Sequence, residues 1–157
     1  MKEKELLNRV RFCSLATVNE DGTPHNTPLF FIYSSDFKKF FMSTHPKSLH
    51  ARNVERTRRG YAVIYDASAF MGGIYIELDR FEVLAGKSLK EGIKVYNENR
   101  KRWGMGESPI GDYQDPNERR LYSADIKKIE IYGSKETASG KIINEQRVEI
   151  SAEDLIR

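Results

Sequence analysis

A mainly β, closed scaffold with a few flanking helices is predicted by three observations on this chain of 157 residues. Short runs rich in aromatic and β-branched residues alternate with turn signals such as Asp21-Gly22. Residues 61–65 form a nearly continuous apolar and aromatic run, the pattern of a strand buried on both faces or closed into a barrel. In residues 74–84 the apolar parity switches: Ile74, Ile76 and Leu78 share one face, while Phe81 and Val83 fall on the other. One extra residue near Asp79-Arg80 produces such a switch, as a bulge does where a barrel strand turns a corner.

The length suits a single domain over residues 1–157 with a sizeable core. A net charge of +3 is small against 26 basic and 23 acidic residues, so a local anion site fits better than a polyanion track, and no nucleic-acid partner is expected. Cys13 is the only cysteine; it excludes an internal disulfide and a cysteine-rich metal site, and its apolar setting reads as a buried strand position in a reducing compartment. The first residues, MKEKELLNRVR, mix charges with leucines, and no stretch approaches a membrane span, so a cytoplasmic protein is expected.

Taken in order, residues 2–9 read as a short helix whose Leu6, Leu7 and Val10 cover the end of a barrel. Residues 12–18 follow as a strand, 19–24 as a tight hairpin, and 25–33 as the partner strand. Pro28 has no N–H for a ladder, so it belongs at an edge, a bulge or a split between sheets, where a ligand finds room. Ser34-Ser35-Asp36 turns the chain, and residues 37–43 return as a third strand. Ala67-Ser68-Ala69 and Gly72-Gly73 read as a turn after the 61–65 strand. Ser88-Leu89-Lys90-Glu91 fits a capping box with Ser88 as N-cap, and Leu89, Ile93, Tyr96 and Trp103 mark the apolar stripe of the helix it opens, with Gly104 as its cap. Residues 104–120, rich in Gly, Pro, Asp and Glu, read as a long loop near the ligand. Residues 121–132 alternate as a half-exposed strand, the tail offers a strand pair around 141–150 with Asn144-Glu145 at its turn, and Ser151 caps a final helical turn.

The chain is organised around FFMSTHPKSLHARNVERTRRG, residues 40–60. Phe40, Phe41 and Met42 have buried-strand character; Ser43 and Thr44 bring hydroxyls; His45-Pro46 breaks the strand; and Lys47-Ser48 opens a helix. A helix start offers unpaired N–H groups and the positive end of the dipole, so this corner is suited to a phosphate held by main chain, Ser48 and flanking cations. The alternative is an ordinary strand-to-helix turn with a solvated basic face.

Other chemistries lack their patterns. His45 and His50 are five apart rather than i, i+4, and neither HExxH nor CxxC occurs. Gly-x-Ser-x-Gly, the P-loop and the Rossmann glycine pattern are likewise missing. A scaffold with one anion corner suits a phosphorylated cofactor that carries its own reactivity.

The order FCSLATVNEDGTPHNTPLFFIY, FFMSTHPKSLHARN, GGIYIELDRFEVL resembles the FMN-binding split-barrel family related to pyridoxamine 5′-phosphate oxidase, over residues 7–132. The resemblance implies a split β-barrel, a homodimer with FMN between the subunits, and flavin-dependent oxidoreduction of a small molecule. The family's corner reads Thr-x-x-x-Ser-x-Lys-x-x-Asn, matched here by Thr44, Ser48, His50 and Asn53. It implies that Ser43 and Thr44 meet the ring and phosphate side of the flavin, that Ser48 meets the phosphate, and that Asn26 and Thr27 approach from the second strand. Lys47 and Trp103 complete the candidate set, Lys47 as a flanking cation and Trp103 against the ring or, equally, as a core anchor for its helix. No catalytic side chain and no metal ligand is assigned. Two departures matter: His50 replaces the usual lysine, and Leu49 stands where the oxidase has an arginine. They leave a deazaflavin coenzyme, or a non-catalytic flavin, haem or metabolite carrier, as alternatives. The oxidase's C-terminal arginine and histidine motif has no match in VEISAEDLIR, which argues against pyridoxal phosphate synthesis.

Overall fold

The computed structural model describes residues 2–68, 73–136, 139 and 142–156. Its elements are α1 (Lys2–Arg9), β1 (Phe12–Val18), β2 (Pro24–Tyr33), β3 (Lys39–Thr44), α2 (Leu49–Thr57), β4 (Gly60–Ile64), β5 (Ile74–Val83), α3 (Gly86–Arg102), a 3-10 turn (Ile110–Tyr113), β6 (Arg120–Glu136), β7 (Ile142–Ile150) and α4 (Ala152–Ile156). The strands run antiparallel in the order β3-β2-β1-β4-β5-β6-β7, and β3 also pairs with β6. That pairing closes six strands into a barrel and leaves β7 outside it.

Strand alternation sorts the residues. Leu15, Ala62, Ile64, Ile74, Ile76 and Leu78 point inward and are fully buried, whereas Phe12, Val18 and Tyr65 stand on the outer side and are exposed. The run at 61–65 is therefore buried on one face only: its tyrosines lie outward, where Tyr61 is half-buried. Cys13 is buried as expected, and desolvation holds its thiol far above the usual range.

The parity switch in β5 is a pair of register shifts, between Glu77 and Leu78 and between Asp79 and Glu82. Arg80 takes a left-handed φ of 53°, which turns Phe81 into the core. Val83, expected on Phe81's face, is exposed because the strand ends there. Pro28 lies opposite Ser14 of β1, while β2 meets β3 only through Phe31, Ile32 and Tyr33. The far edge of β2 before Phe31 is thus not paired with β3, the edge position the proline suggests.

Two boundaries differ from the sequence expectation. The helix begins at Gly86, with Ala85 as N-cap; Ser88 is its third residue, and its hydroxyl accepts from the Ala85 N–H (3.1 Å) and donates to the Ala85 carbonyl (2.9 Å). Positive φ at Gly86 lets the chain enter the helix three residues earlier than the serine signals. The tail holds one strand rather than a pair: β7 passes Asn144-Glu145 with a register shift rather than a turn, because β6 continues to Glu136 and pairs with β7 on both sides of the shift. Ala69 and Gly72 of the expected turn, and Lys141, lie outside the described residues. Ser151 caps α4, accepting from the Asp154 N–H at 3.1 Å.

Inside α3, Gly92 sits against Leu84: a Cβ there would lie 2.3 Å from Leu84 Cδ1. The glycine is a packing requirement of the helix, which lays Leu89, Ile93 and Tyr96 on a second core with Ile32, Phe41, Tyr113 and Leu121. Gly104, at φ 66°, turns the chain off the helix end.

Candidate site at the strand β3 to helix α2 corner

β3 delivers Thr44 to the rim of the barrel, and Ser48, N-cap of α2, lies one turn away. The Ser48 side chain makes no cap hydrogen bond. Its hydroxyl instead lies 3.3 Å from both Thr44 Oγ1 and His50 Nε2, and Thr44 Oγ1 is 2.8 Å from His50 Nε2. Three of the predicted residues therefore form one polar triangle at a helix start whose own N–H groups are unclaimed by that serine. His50 is half-buried, and its pKa is lowered from the usual value, first by desolvation and then by the nearby His25. These surroundings favour the neutral ring, and a bound anion would favour the charged one.

Ser43, one residue earlier, has a buried hydroxyl without a hydrogen-bond partner among the described residues. Such an atom is costly unless a ligand satisfies it. The residue also lines a cavity of about 950 Å³. One side of this cavity is Pro28, Leu29 and Phe30 of β2; the opposite side is Tyr96 and Arg100 of α3; and the segment after α3 forms the remaining wall, including Met105, Asn117 and Arg119. The 104–120 loop expected near the ligand does border this space.

Other predicted residues have different surroundings. Asn26 accepts from Ser14 Oγ at 2.8 Å on the outer face of β2, and Thr27 sits beside it, half-buried. Lys47 is exposed, and its N–H donates to His45 Nδ1 at 3.0 Å. Asn53 is turned away from the corner: it is buried, and its amide donates to Thr17 Oγ1 (3.1 Å) and Asn19 Oδ1 (2.8 Å), fixing α2 to the end of β1. Trp103 packs edge-on to Phe30, Phe31 and Tyr33, with ring centroids 5.7, 6.3 and 6.4 Å away, and Arg11 lies over its ring. That is the anchor arrangement. Arg56 and Arg58 serve the helix end, Arg56 donating to the Val18 carbonyl and Arg58 adopting a left-handed C-cap.

Sequence reasoning missed His25, Arg100 and Glu118. His25 and Arg100 carried only weak signals, a histidine in a strand and a cation at a helix end. Glu118 gave none, because its contact with His45 at 2.9 Å spans 73 residues.

Among the described residues no cluster of three potential metal ligands occurs, and no helix is long and apolar enough to cross a membrane.

Comparison with known proteins agrees with this geometry. No curated protein matches the sequence. Similar solved structures include a protein related to general stress protein 26 of B. subtilis (pyridoxinephosphate oxidase family) from Clostridium acetobutylicum, at 15% identity and TM-score 0.63, covering 98% of this chain and 94% of that one. An F420 reductase is similar at 17% identity and TM-score 0.58, over 80% and 94%. A heme binding protein from Mycobacterium smegmatis is similar at 12% identity and TM-score 0.63, over 99% of this chain and 58% of that one. The sequence pattern described as pyridoxamine 5′-phosphate oxidase matches residues 2–132, most of the chain. With its closed six-stranded barrel, split edge and polar corner, the chain belongs to the pyridoxamine 5′-phosphate oxidase family.

Proposed function

We propose that this protein is a homodimeric FMN-binding oxidoreductase acting on a small molecule. The observation that carries the reading is the corner itself: an N-cap serine that does not cap, joined to Thr44 and His50, beside the unsatisfied buried hydroxyl of Ser43. These donors fit a phosphorylated planar cofactor, with Ser48, His50, Thr44 and the exposed Lys47 toward the phosphate and Ser43 toward the ring. Asn26 and Thr27, on the open half of β2, would approach the ring from the other side. When bound, FMN supplies the capacity to accept and donate electrons or hydride, which none of these side chains has. The chain's own part is to bind, to orient and to exclude water.

The dimer is supported by the outer sheet face, where Phe12 is 61% exposed and Val18 and Tyr65 are also exposed. A barrel interior filled by its own core leaves a cofactor to sit outside, against a second chain. Asn53 and Trp103 are left out of the contact set, since their partners are protein groups.

The test is the absorption spectrum of the purified protein, followed by release and identification of the bound molecule and light scattering of the loaded protein. FMN with a dimer supports the reading. A deazaflavin or a haem would replace the cofactor, and a loaded monomer would remove the shared site.

A further inference from the structure

The segment that walls the cavity is tied in two different ways. Near α3 it is bound firmly: Asn97 pairs with both the N–H (2.9 Å) and the carbonyl (3.1 Å) of Ser108, and Arg100 Nε donates to the Gly106 carbonyl at 2.8 Å. Its other end, residues 115–119, is gathered onto Arg120, the first residue of β6. The Arg120 guanidinium donates to the Asp115 carboxylate (2.5 Å) and to the carbonyls of Asn117 (2.5 Å) and Arg119 (2.8 Å). Asn117 then donates back to Gly111 within the same segment at 2.9 Å.

The pairing of β3 with β6 ends at Thr44 opposite Arg120, and there the two chains part. Beyond that point residues 115–119 reach the corner through one hydrogen bond, His45 Nε2 to Glu118 Oε2 at 2.9 Å, with the Lys47 charge also drawing on Glu118. The Lys47 N–H donates to His45 Nδ1, which leaves the proton of the neutral ring on Nε2, aimed at Glu118. Both His45 and Glu118 border the cavity.

We propose that His45 and Glu118 form a clasp that holds the 115–119 tab closed over the cavity, and that its release is how a small molecule is admitted beside the corner. His45 and Glu118 are positioning residues in this scheme: they act through the tab. The exposure of the pair suits the task. At side-chain exposures of 37% and 73% the contact is screened, so it shifts the closed population by only a few-fold and the tab opens readily. Because the tab is gathered onto Arg120, the residue at which it joins β6, it would swing about that point as one piece rather than unravel.

Amide hydrogen exchange on the full chain without added cofactor tests this independently of the FMN reading. In Glu118→Ala and in His45→Ala, peptides covering residues 111–119 should exchange about two- to five-fold faster, with β1 unchanged. Glu118→Gln keeps an acceptor for Nε2–H and should stay near the wild-type rate. The double variant should be no faster than Glu118→Ala, which already loses both the His45 contact and the attraction of Lys47. Unchanged exchange in the single variants, additive effects in the double variant, or equal acceleration in β1 would each overturn the clasp.

Discussion

Thr44 Oγ1 lies 2.8 Å from His50 Nε2, so the last residue of β3 and the first turn of α2 share a hydrogen bond at the spot proposed for a phosphate. The bond fixes where the imidazole stands before any ligand arrives. Burial and His25 lower its pKa from the ordinary value in the ligand-free protein, and a phosphate dianion would raise it in the complex. FMN affinity should therefore be highest below the free protein's His50 pKa and fall as pH rises through the raised value of the complex. Charge-assisted hydrogen bonds contribute about 1.5–3 kcal/mol, so the loss should reach roughly ten-fold or more. His50→Lys should keep tight binding at alkaline pH, and His50→Ala should bind weakly with a flatter profile. Three superimposable FMN titration curves would remove His50 from the site.

The same lowered pKa has an opposite signature without ligand. The unfolded chain takes up a proton on this histidine at higher pH than the folded one, so stability gained by keeping His50 neutral is present above the unfolded value, near pH ~6.5, and lost as pH falls through the folded value. Urea midpoints measured from pH 8 to 5 should decline less in His50→Gln than in wild type.

Asn53→Ala should cost about 1–3 kcal/mol in urea unfolding while leaving FMN affinity within two-fold or so, because it removes two buried hydrogen bonds to Thr17 and Asn19 and no ligand contact. A large loss of affinity with unchanged stability would return Asn53 to the site.

Gly92→Ala sets helix propensity against space. Alanine gains about 0.8–1 kcal/mol as a helix former, but its Cβ meets Leu84 Cδ1 at 2.3 Å in a buried layer. Overpacking should win by about 1 kcal/mol, and pairing it with Leu84→Ala should produce less than the sum of the two single losses.

Trp103→Phe should lower thermal stability by about 1–2 kcal/mol, since the indole fills a ring cluster with Phe30, Phe31 and Tyr33. The flavin spectrum should not move. A shifted spectrum at unchanged stability would place the ring against the cofactor instead.

Local signals carried most of the fold. α1 and β1 lie where periodicity put them, and the bulge in β5 was visible as a change of parity around Asp79-Arg80. Ser88 misled by three residues because a glycine with positive φ starts α3 earlier. The single strand β7 could not be read locally, since what carries it past Asn144-Glu145 is the far end of β6, which pairs again with Ile143 and Ile142 beyond the register shift. At the corner, Thr44, Ser48 and His50 are close in sequence and were legible together. Asn53 looked like their neighbour, but its rotation on α2 carries its amide toward Thr17. Glu118 and Arg100 reach the cavity lined by Ser43 and His45 from distant elements, and no local pattern brings them together.

The open half of β2 also bears on how copies of this protein coexist at high concentration. An unpaired strand edge invites another chain to add a strand and begin an aggregate. Pro28, in the middle of that edge, has no N–H to offer such a newcomer and breaks any ladder laid along it. Replacing Pro28 by Val or Thr would restore a continuous template, so the residue that leaves room for a ligand also protects the gap from its own kind.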